Sequence, residues 1–196
     1  IITDEINGVD IESGVDTLKA LSKITIKGHV EDVDGTILTG YNGLVYPTVF
    51  DKWKDKQTLG QNSAGIIKDF RVQNNIVYKG KSTVKNGYFS YSFVVPKDID
   101  YSIGKGKLSY YGNTDAKHNY GFDTTVVVGG INPDGLDDET GPEIELFMND
   151  EQFVNGGLTN ENPTFMANIR DENGINTTGN GIGHDITLII DGNTAN

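Results

Sequence analysis

Three glycines and an adjacent His-Asp pair are the residues whose types and spacing first suggest chemistry. They are Gly179, Gly181, Gly183, His184 and Asp185, and the apolar run ITLII follows them. This arrangement raises three hypotheses: a glycine loop that binds phosphate, an acid–base pair, or a sharp loop that leads the chain into a strand.

The glycine spacing favours the structural loop. A dinucleotide site needs G-x-G-x-x-G between a strand and a helix, whereas here a β-branched run follows and predicts a strand, which supplies no helix N-terminus to hold phosphate. Successive side chains of an extended chain point to opposite faces, so Asp185 cannot orient His184 as a triad carboxylate does. We therefore predict that His184 and Asp185 hold the loop in place and that neither is catalytic.

The remaining sequence offers few other catalytic groups. The chain contains no Cys, which excludes a cysteine nucleophile and a thiolate metal site within it. His29, His118 and His184 are too far apart in sequence to show the spacing of a zinc site. We predict no catalytic residue and no histidine-bound metal in this chain.

An acidic cluster lies in the segment 131–142, and its members are Asp134, Asp137, Asp138 and Glu139. Clustered carboxylate oxygens suit Ca²⁺, so a calcium site is one interpretation. The spacing does not match an EF-hand loop, because Pro133 stands where a ligand would be needed. The favoured interpretation is a solvated linker, with calcium as the alternative and no other cofactor.

Composition predicts an all-β protein that does not bind nucleic acid. The 196 residues include 25 Gly, with many Thr, Val, Ile, Tyr and Asn, which favour strands and turns. The net charge of −12 repels nucleic acid and anionic lipid surfaces. No apolar stretch approaches the length of a membrane-spanning helix.

Strand and turn signals divide the chain into four segments. Residues 1–20 are expected to form a tether, 21–130 an immunoglobulin-like β-sandwich, 131–142 the acidic linker, and 143–196 a second, incomplete β-sandwich. About seven alternating runs in the first domain fit a sandwich, and Asp34-Gly35 and Asn86-Gly87 are turn signals. The boundary near Glu139 is a change in charge, because Arg170 is the sole Lys or Arg beyond it.

Several stretches together resemble a known family. They are DTLKALSKITIKGHVED, NGLVYPTVFDK, YFSYSFVVPKDIDYSIGKGKLSYYG, VVVGGIN, GPEIELFMND, FVNGGLTNENP and DENGINTTGNGIGHDI. They resemble the region after the catalytic domain in PorU-type proteins, the gingipain-like cysteine peptidases that act as the type IX secretion sortase of Bacteroidetes. The glycine-His-Asp block with its GINTTG lead is the most specific part of this resemblance.

The resemblance implies that the whole protein is an enzyme and that this chain is a non-catalytic part of it. The family's catalytic Cys and His lie upstream in a caspase-like domain, so no catalytic residue carries over to any position here. The whole protein would lie on the outer-membrane surface of a Gram-negative bacterium, remove the C-terminal signal of secreted cargo and attach that cargo to lipopolysaccharide. Its partners would be the upstream catalytic domain, the cargo and an outer-membrane barrel of the PorV type.

The alternative hypothesis is a carbohydrate-binding or adhesive surface module. It is motivated by nine Tyr in the first domain and by Trp53, since sugar sites use exposed aromatic side chains. Alternation along the strands predicts that about half of these rings belong to the core. A glycan array that shows no binding, together with burial of Tyr101, Tyr110 and Tyr120, would remove this alternative.

Overall fold

The computed structural model of the protein describes residues 1–14, 17–61, 65–115, 117–135, 140–171, 175 and 186–195. Within these residues the chain is built from strands, together with two short 3-10 turns at Ile11–Ser13 and Pro133–Gly135. The all-β, sandwich-like fold class is therefore confirmed. No helix in the described ranges is long and apolar enough to span a bilayer.

Twelve strands form three sheets. Sheet one contains β1 (Ile2–Ile6), β2 (Val9–Asp10), β4 (Lys23–His29) and β10 (Tyr88–Val94). Sheet two contains β5 (Gly43–Phe50), β8 (Ile76–Lys79), β9 (Ser82–Val84), β12 (Lys107–Asn113) and β13 (His118–Asp123). The small sheet three contains β3 (Leu18–Ala20), β11 (Gly104–Lys105) and β14 (Val127–Ile131).

The other strands pair two by two. They are β6 (Lys54–Gln57) with β7 (Asp69–Val72), β15 (Glu143–Met148) with β16 (Phe165–Arg170), and β17 (Leu188–Ile190) with β18 (Asn193–Ala195). Each of these pairs is antiparallel. A two-stranded ribbon buries little apolar surface of its own, so the stability of the described fold resides in the three larger sheets.

Alternating apolar residues place the core between sheets one and two. In sheet one, whose strand order is β10-β4-β1-β2, Ile24 and Ile26 of β4 point inward and are buried. In sheet two, β5 and β12 pair centrally, and Val49 and Leu108 lie opposite each other on the inward face. These side chains belong to one continuous apolar cluster, which explains the period-2 pattern of the strands.

The two predicted turn dipeptides adopt turn geometry. Asn86 and Gly87 have φ values of 51° and 83°, which is the left-handed pair that a type I′ hairpin requires. This turn joins β9 of sheet two to β10 of sheet one and so connects the two layers. Gly35 has a φ of 80°, in a turn closed by the bond from its N–H to the Asp32 carbonyl.

The first twenty residues differ from the predicted tether, because they contain β1, β2 and β3. β1 lies inside sheet one, paired with both β2 and β4. Ile6 and Leu18 are buried, so this segment contributes to the core. The sequence pattern does not reveal β1, because the strand ITDEI alternates weakly and contains two acidic residues. The boundaries of the two predicted domains stay predictions.

Some strands form where the sequence pattern does not reveal them. β6 follows Trp53 in a stretch rich in charged residues. In β13 the aromatic residues are on the exposed side and the half-buried positions are Asn119, Gly121 and Asp123, which reverses the usual pattern. Gly129 and Gly130 lie inside β14, where the register shifts.

A buried tyrosine pair links the two main sheets. The Tyr110 hydroxyl of β12 forms a hydrogen bond of 2.7 Å with Thr3 Oγ1 of β1. The Tyr91 hydroxyl of β10 lies 3.4 Å from the Tyr110 hydroxyl. Burial raises the pKa of Tyr110 to about 12, and the hydrogen bonds with Thr3 and Tyr91 offset part of this effect. Burial also raises the pKa of Tyr91 well above its ordinary value. Both hydroxyls thus stay protonated and act as neutral hydrogen-bonding groups.

Truncation of Ile26 tests the position of the core. Ile26 is fully buried in the middle of β4, between its register partners Ile6 and Tyr91. We expect Ile26→Ala to lower the free energy of unfolding, measured by urea denaturation, by about 3 kcal/mol. The substitution leaves a cavity, and the two flanking strands cannot move in to fill it. Ile103→Ala, at a position that is 66% exposed, is the control and should change it little. Equal effects of the two substitutions would contradict the assigned core.

Tyr110→Phe tests the buried hydroxyl. At neutral pH the variant should be about 1 kcal/mol less stable, because the Thr3 hydroxyl loses its partner. The pKa of Tyr110 is raised from 10.0 to about 12 in the folded protein. The contribution of the protonated hydroxyl to the free energy of unfolding is therefore complete below pH 10 and is lost as the pH rises towards 12. The wild type should therefore lose stability more steeply than the variant across this interval, measured by urea denaturation at several pH values. Tyr101→Phe, at an exposed tyrosine, should follow the wild-type pH dependence.

Candidate functional site

The loop that first suggested chemistry lies outside the described residues. This applies to Gly179, Gly181, Gly183, His184 and Asp185. The strand predicted after them is present as β17, which begins at Leu188. The structural role of the loop, with His184 and Asp185 as positioning residues, stays a prediction.

Only one residue of the acidic cluster is described. Asp134 is exposed in the 3-10 turn Pro133–Gly135, and its N–H donates to Asn132 Oδ1 at 3.3 Å. Asp137, Asp138 and Glu139 lie outside the described residues. Among the residues that the structure does describe, no group of His, Cys, Asp and Glu side chains is arranged to hold a metal ion. The calcium alternative stays a prediction.

His29 is the histidine with the most elaborate surroundings. It ends β4, and its side chain is only 13% exposed. Its Nδ1 lies 2.6 Å from Asp4 Oδ1, and its Nε2 lies 3.2 Å from Glu31 Oε2. The register of β1 against β4 shifts between Thr3 and Glu5, so Asp4 is the extra residue of a bulge. Bulges re-aim side chains, and here the bulge directs Asp4 to the imidazole.

This His29 cluster is unsuited to nucleophilic catalysis. A triad needs one imidazole nitrogen on a carboxylate and the other on a nucleophilic hydroxyl or thiol. Both nitrogens of His29 face carboxylates instead. A neutral imidazole donates to one of them, whereas an imidazolium donates to both. An open groove of about 530 Å³ runs beside the cluster, and Lys27, Tyr88 and Phe89 are among its lining residues. The arrangement fastens β1 to the end of β4.

A second ionic contact is buried at the end of β5. Lys52 Nζ lies 2.7 Å from Asp51 Oδ1 and donates to the Asp100 carbonyl at 2.7 Å. Both side chains are almost fully buried. Gln73 Nε2 donates to the Asp51 carbonyl, which adds a third segment to the cluster. This pair joins segments that are distant in sequence, and no substrate-sized cavity opens on it among the described residues.

The aromatic residues divide into a buried and an exposed set. Tyr110 is 3% exposed, whereas Tyr120 is 72% exposed and Tyr101 44%. Trp53 is 51% exposed, with the Arg71 guanidinium 5.5 Å from its ring centroid, so it forms a half-exposed cap rather than a core residue. The condition that would have removed the carbohydrate-binding alternative is not met, because two of the three named tyrosines are exposed.

Substitution of Lys52 tests the buried ion pair. Lys52→Met should lower the free energy of unfolding by about 3 kcal/mol or more, because the Asp51 carboxylate is left buried without a cation. Lys56→Met, at an exposed lysine of β6, is the matched control and should have little effect. In a double-mutant cycle, adding Asp51→Asn to Lys52→Met should restore part of the loss. Additive effects would show that the two side chains do not interact.

Of three comparisons with known proteins, one finds a similar protein. No protein-family model matches it, and no curated protein sequence matches it. Among solved structures, it is similar to dimeric latent PorU from Porphyromonas gingivalis, with 38% identity and a TM-score of 0.67. The similarity covers 99% of this chain and 19% of the PorU chain.

This likeness goes beyond fold, because residue identity extends over almost the whole chain. It also agrees with the resemblance found in the sequence. The chain spans about a fifth of the solved PorU chain, whose remaining length has no counterpart here. The protein is thus PorU-like in sequence and in structure over nearly its entire 196 residues.

Proposed function

We propose that this chain is a non-catalytic β-sandwich region of a larger cell-surface protein that resembles the type IX secretion sortase, a gingipain-like cysteine peptidase. The observation that carries this proposal is the 38% identity to PorU over 99% of the chain. The larger protein would remove the C-terminal signal of secreted cargo and attach the cargo to the outer surface of a Gram-negative bacterium. Its partners would be the upstream caspase-like domain, the cargo and an outer-membrane barrel.

Two properties of the chain favour a structural role over a catalytic one. A cysteine peptidase needs a thiolate nucleophile, and the chain has no Cys. His29 is occupied by Asp4 and Glu31, so it is not available to activate a nucleophile. Catalysis by the larger protein would therefore use residues outside this chain.

The sandwich is suited to hold neighbouring segments at a fixed distance. The inward faces of sheets one and two form one apolar cluster, and the Thr3–Tyr110 bond and the Asp51–Lys52 pair fasten separate strands. Close packing of this kind resists deformation, which is the mechanical property that a spacer requires. The sandwich would position the peptidase domain relative to the membrane.

A chimera tests the proposed function. In Porphyromonas gingivalis, the segment of PorU that aligns with this chain is replaced by this chain. We expect the chimera to process the C-terminal signal of secreted cargo, measured by immunoblotting of mature and unprocessed cargo. The matched control is the same chimera carrying Ile26→Ala, which should process less because the sandwich is destabilised.

Two results would contradict the proposal. One is a chimera that reaches the cell surface in normal amounts and leaves all cargo unprocessed. The other is peptide cleavage by the purified 196-residue chain alone, in an assay that thiol-blocking reagents inhibit.

A further inference from the structure

The outer face of sheet two carries a set of aromatic side chains that the proposed function does not use. We refer to it as the aromatic face, which consists of Tyr46, Tyr111, His118, Tyr120 and Phe122. Tyr120 is 72% and Phe122 74% exposed. Exposed aromatic clusters are uncommon on proteins without a binding partner, because their burial against a ligand is favourable.

Strand register brings these residues together. On β12, Leu108 and Tyr110 are buried, so the pleat directs Ser109 and Tyr111 outward. Tyr111 is the register partner of Tyr46 on β5 and of Tyr120 on β13. Phe122 lies one step along β13, opposite Ser109. The rings thus form a continuous row across three neighbouring strands.

The rings hold one another in place. The Tyr111 ring lies 5.8 Å from that of Tyr46, 5.4 Å from that of Tyr120 and 5.9 Å from the stacked imidazole of His118, measured between centroids. The Tyr111 hydroxyl lies 2.7 Å from His118 Nδ1. A surface that is already ordered loses little side-chain entropy on binding. The rings of Tyr46, Tyr111, His118 and Tyr120 are therefore held in place before any ligand arrives.

The charge pattern of this face departs from that of the whole chain. The chain has a net charge of −12. Yet none of the outward positions of β5, β8, β9, β12 and β13, all of them described, is Asp or Glu. The polar residues between the rings carry hydroxyl, amide and positively charged ammonium groups, and they are Thr48, Lys79, Lys107, Ser109 and Asn113.

The outer face of sheet one provides the contrast. It carries ionic pairs, with Lys27 bonded to Glu5 and His29 between Asp4 and Glu31. The two outer faces of one sandwich therefore differ in kind, since one carries ion pairs and the other is aromatic, with hydroxyl, amide and ammonium donors and no carboxylate. Because this face offers no carboxylate to a cation and the net charge of the chain repels polyanions, the difference points to an uncharged ligand that offers both C–H surfaces and hydroxyls.

We propose that the aromatic face is a binding site for a neutral glycan. A pyranose ring presents a flat C–H face, which packs on the exposed rings, and hydroxyls along its edge, which meet Asn113, Ser109 and Thr48. The net negative charge of the chain repels polyanions, whereas it exerts no such force on an uncharged sugar. This inference goes beyond the proposed function and does not depend on it.

Binding of soluble polysaccharides tests the site. The full 196-residue chain is run in native gels that contain a neutral mannan, galactan or β-glucan, and dissociation constants are measured by calorimetry. We expect at least one of the three to retard the chain. Tyr120→Ala and Phe122→Ala should each weaken binding about tenfold, since each removes one stacking ring. Both side chains are mostly exposed, so the fold should persist, as checked by circular dichroism.

Tyr101→Ala is the matched control, because Tyr101 is 44% exposed, lies outside the aromatic face and should leave the affinity unchanged. The proposal is overturned if none of the three neutral polysaccharides binds. It is equally overturned if the Tyr120→Ala, Phe122→Ala double variant binds as tightly as the wild type. Binding only to dextran sulfate, abolished by salt, would identify a charge effect of Lys79 and Lys107 and would also overturn it.

Discussion

Tyr110 and Tyr111 are neighbours in sequence, and the pleat of β12 places their rings on opposite sides of sheet two. Tyr110 turns inward, where its hydroxyl meets Thr3 and fixes sheet two against sheet one. Tyr111 turns outward and lies at the centre of the row of outward-facing rings. Because the side-chain period of a strand is two, a shift of β12 by one residue would exchange these positions and disrupt both faces together. The packing of the sandwich and the character of its surface thus depend on one strand register.

Sequence patterns predicted the strands whose inward residues are strongly apolar. β4, β5, β10 and β12 show clear alternation, and Asn86-Gly87 marked the hairpin between the layers. The pattern does not reveal β1 and β6, because their inward and outward residues differ little in hydrophobicity, nor β13, because its aromatic residues Tyr120 and Phe122 are on the exposed side. For β1 in particular, the bulge at Asp4 breaks the period that a sequence pattern relies on. The all-β class could therefore be predicted, whereas the place of the first strand could not.

The polar clusters were beyond the reach of sequence analysis. Asp4 reaches His29 only because β1 pairs with β4, and no spacing in the sequence indicates that contact. Asp51 and Lys52 are adjacent charged residues, which a sequence pattern alone would assign to the surface, yet both are buried. By contrast, the sequence motif that drew attention first, around His184, falls outside the described residues. The two polar clusters described above, at His29 and at Asp51–Lys52, hold strands together.

The location of β1 bears on the order in which this region can fold. β1 precedes its partner β4 in the chain, and the Ile1 nitrogen bonds the Tyr120 carbonyl 119 positions further along. Contacts between residues so distant in sequence form late and slowly. Until β13 has reached β1, the earlier strands expose unpaired edges that can associate with other chains. Productive folding of this region therefore depends on keeping β1 apart from other chains until its distant partners are in place.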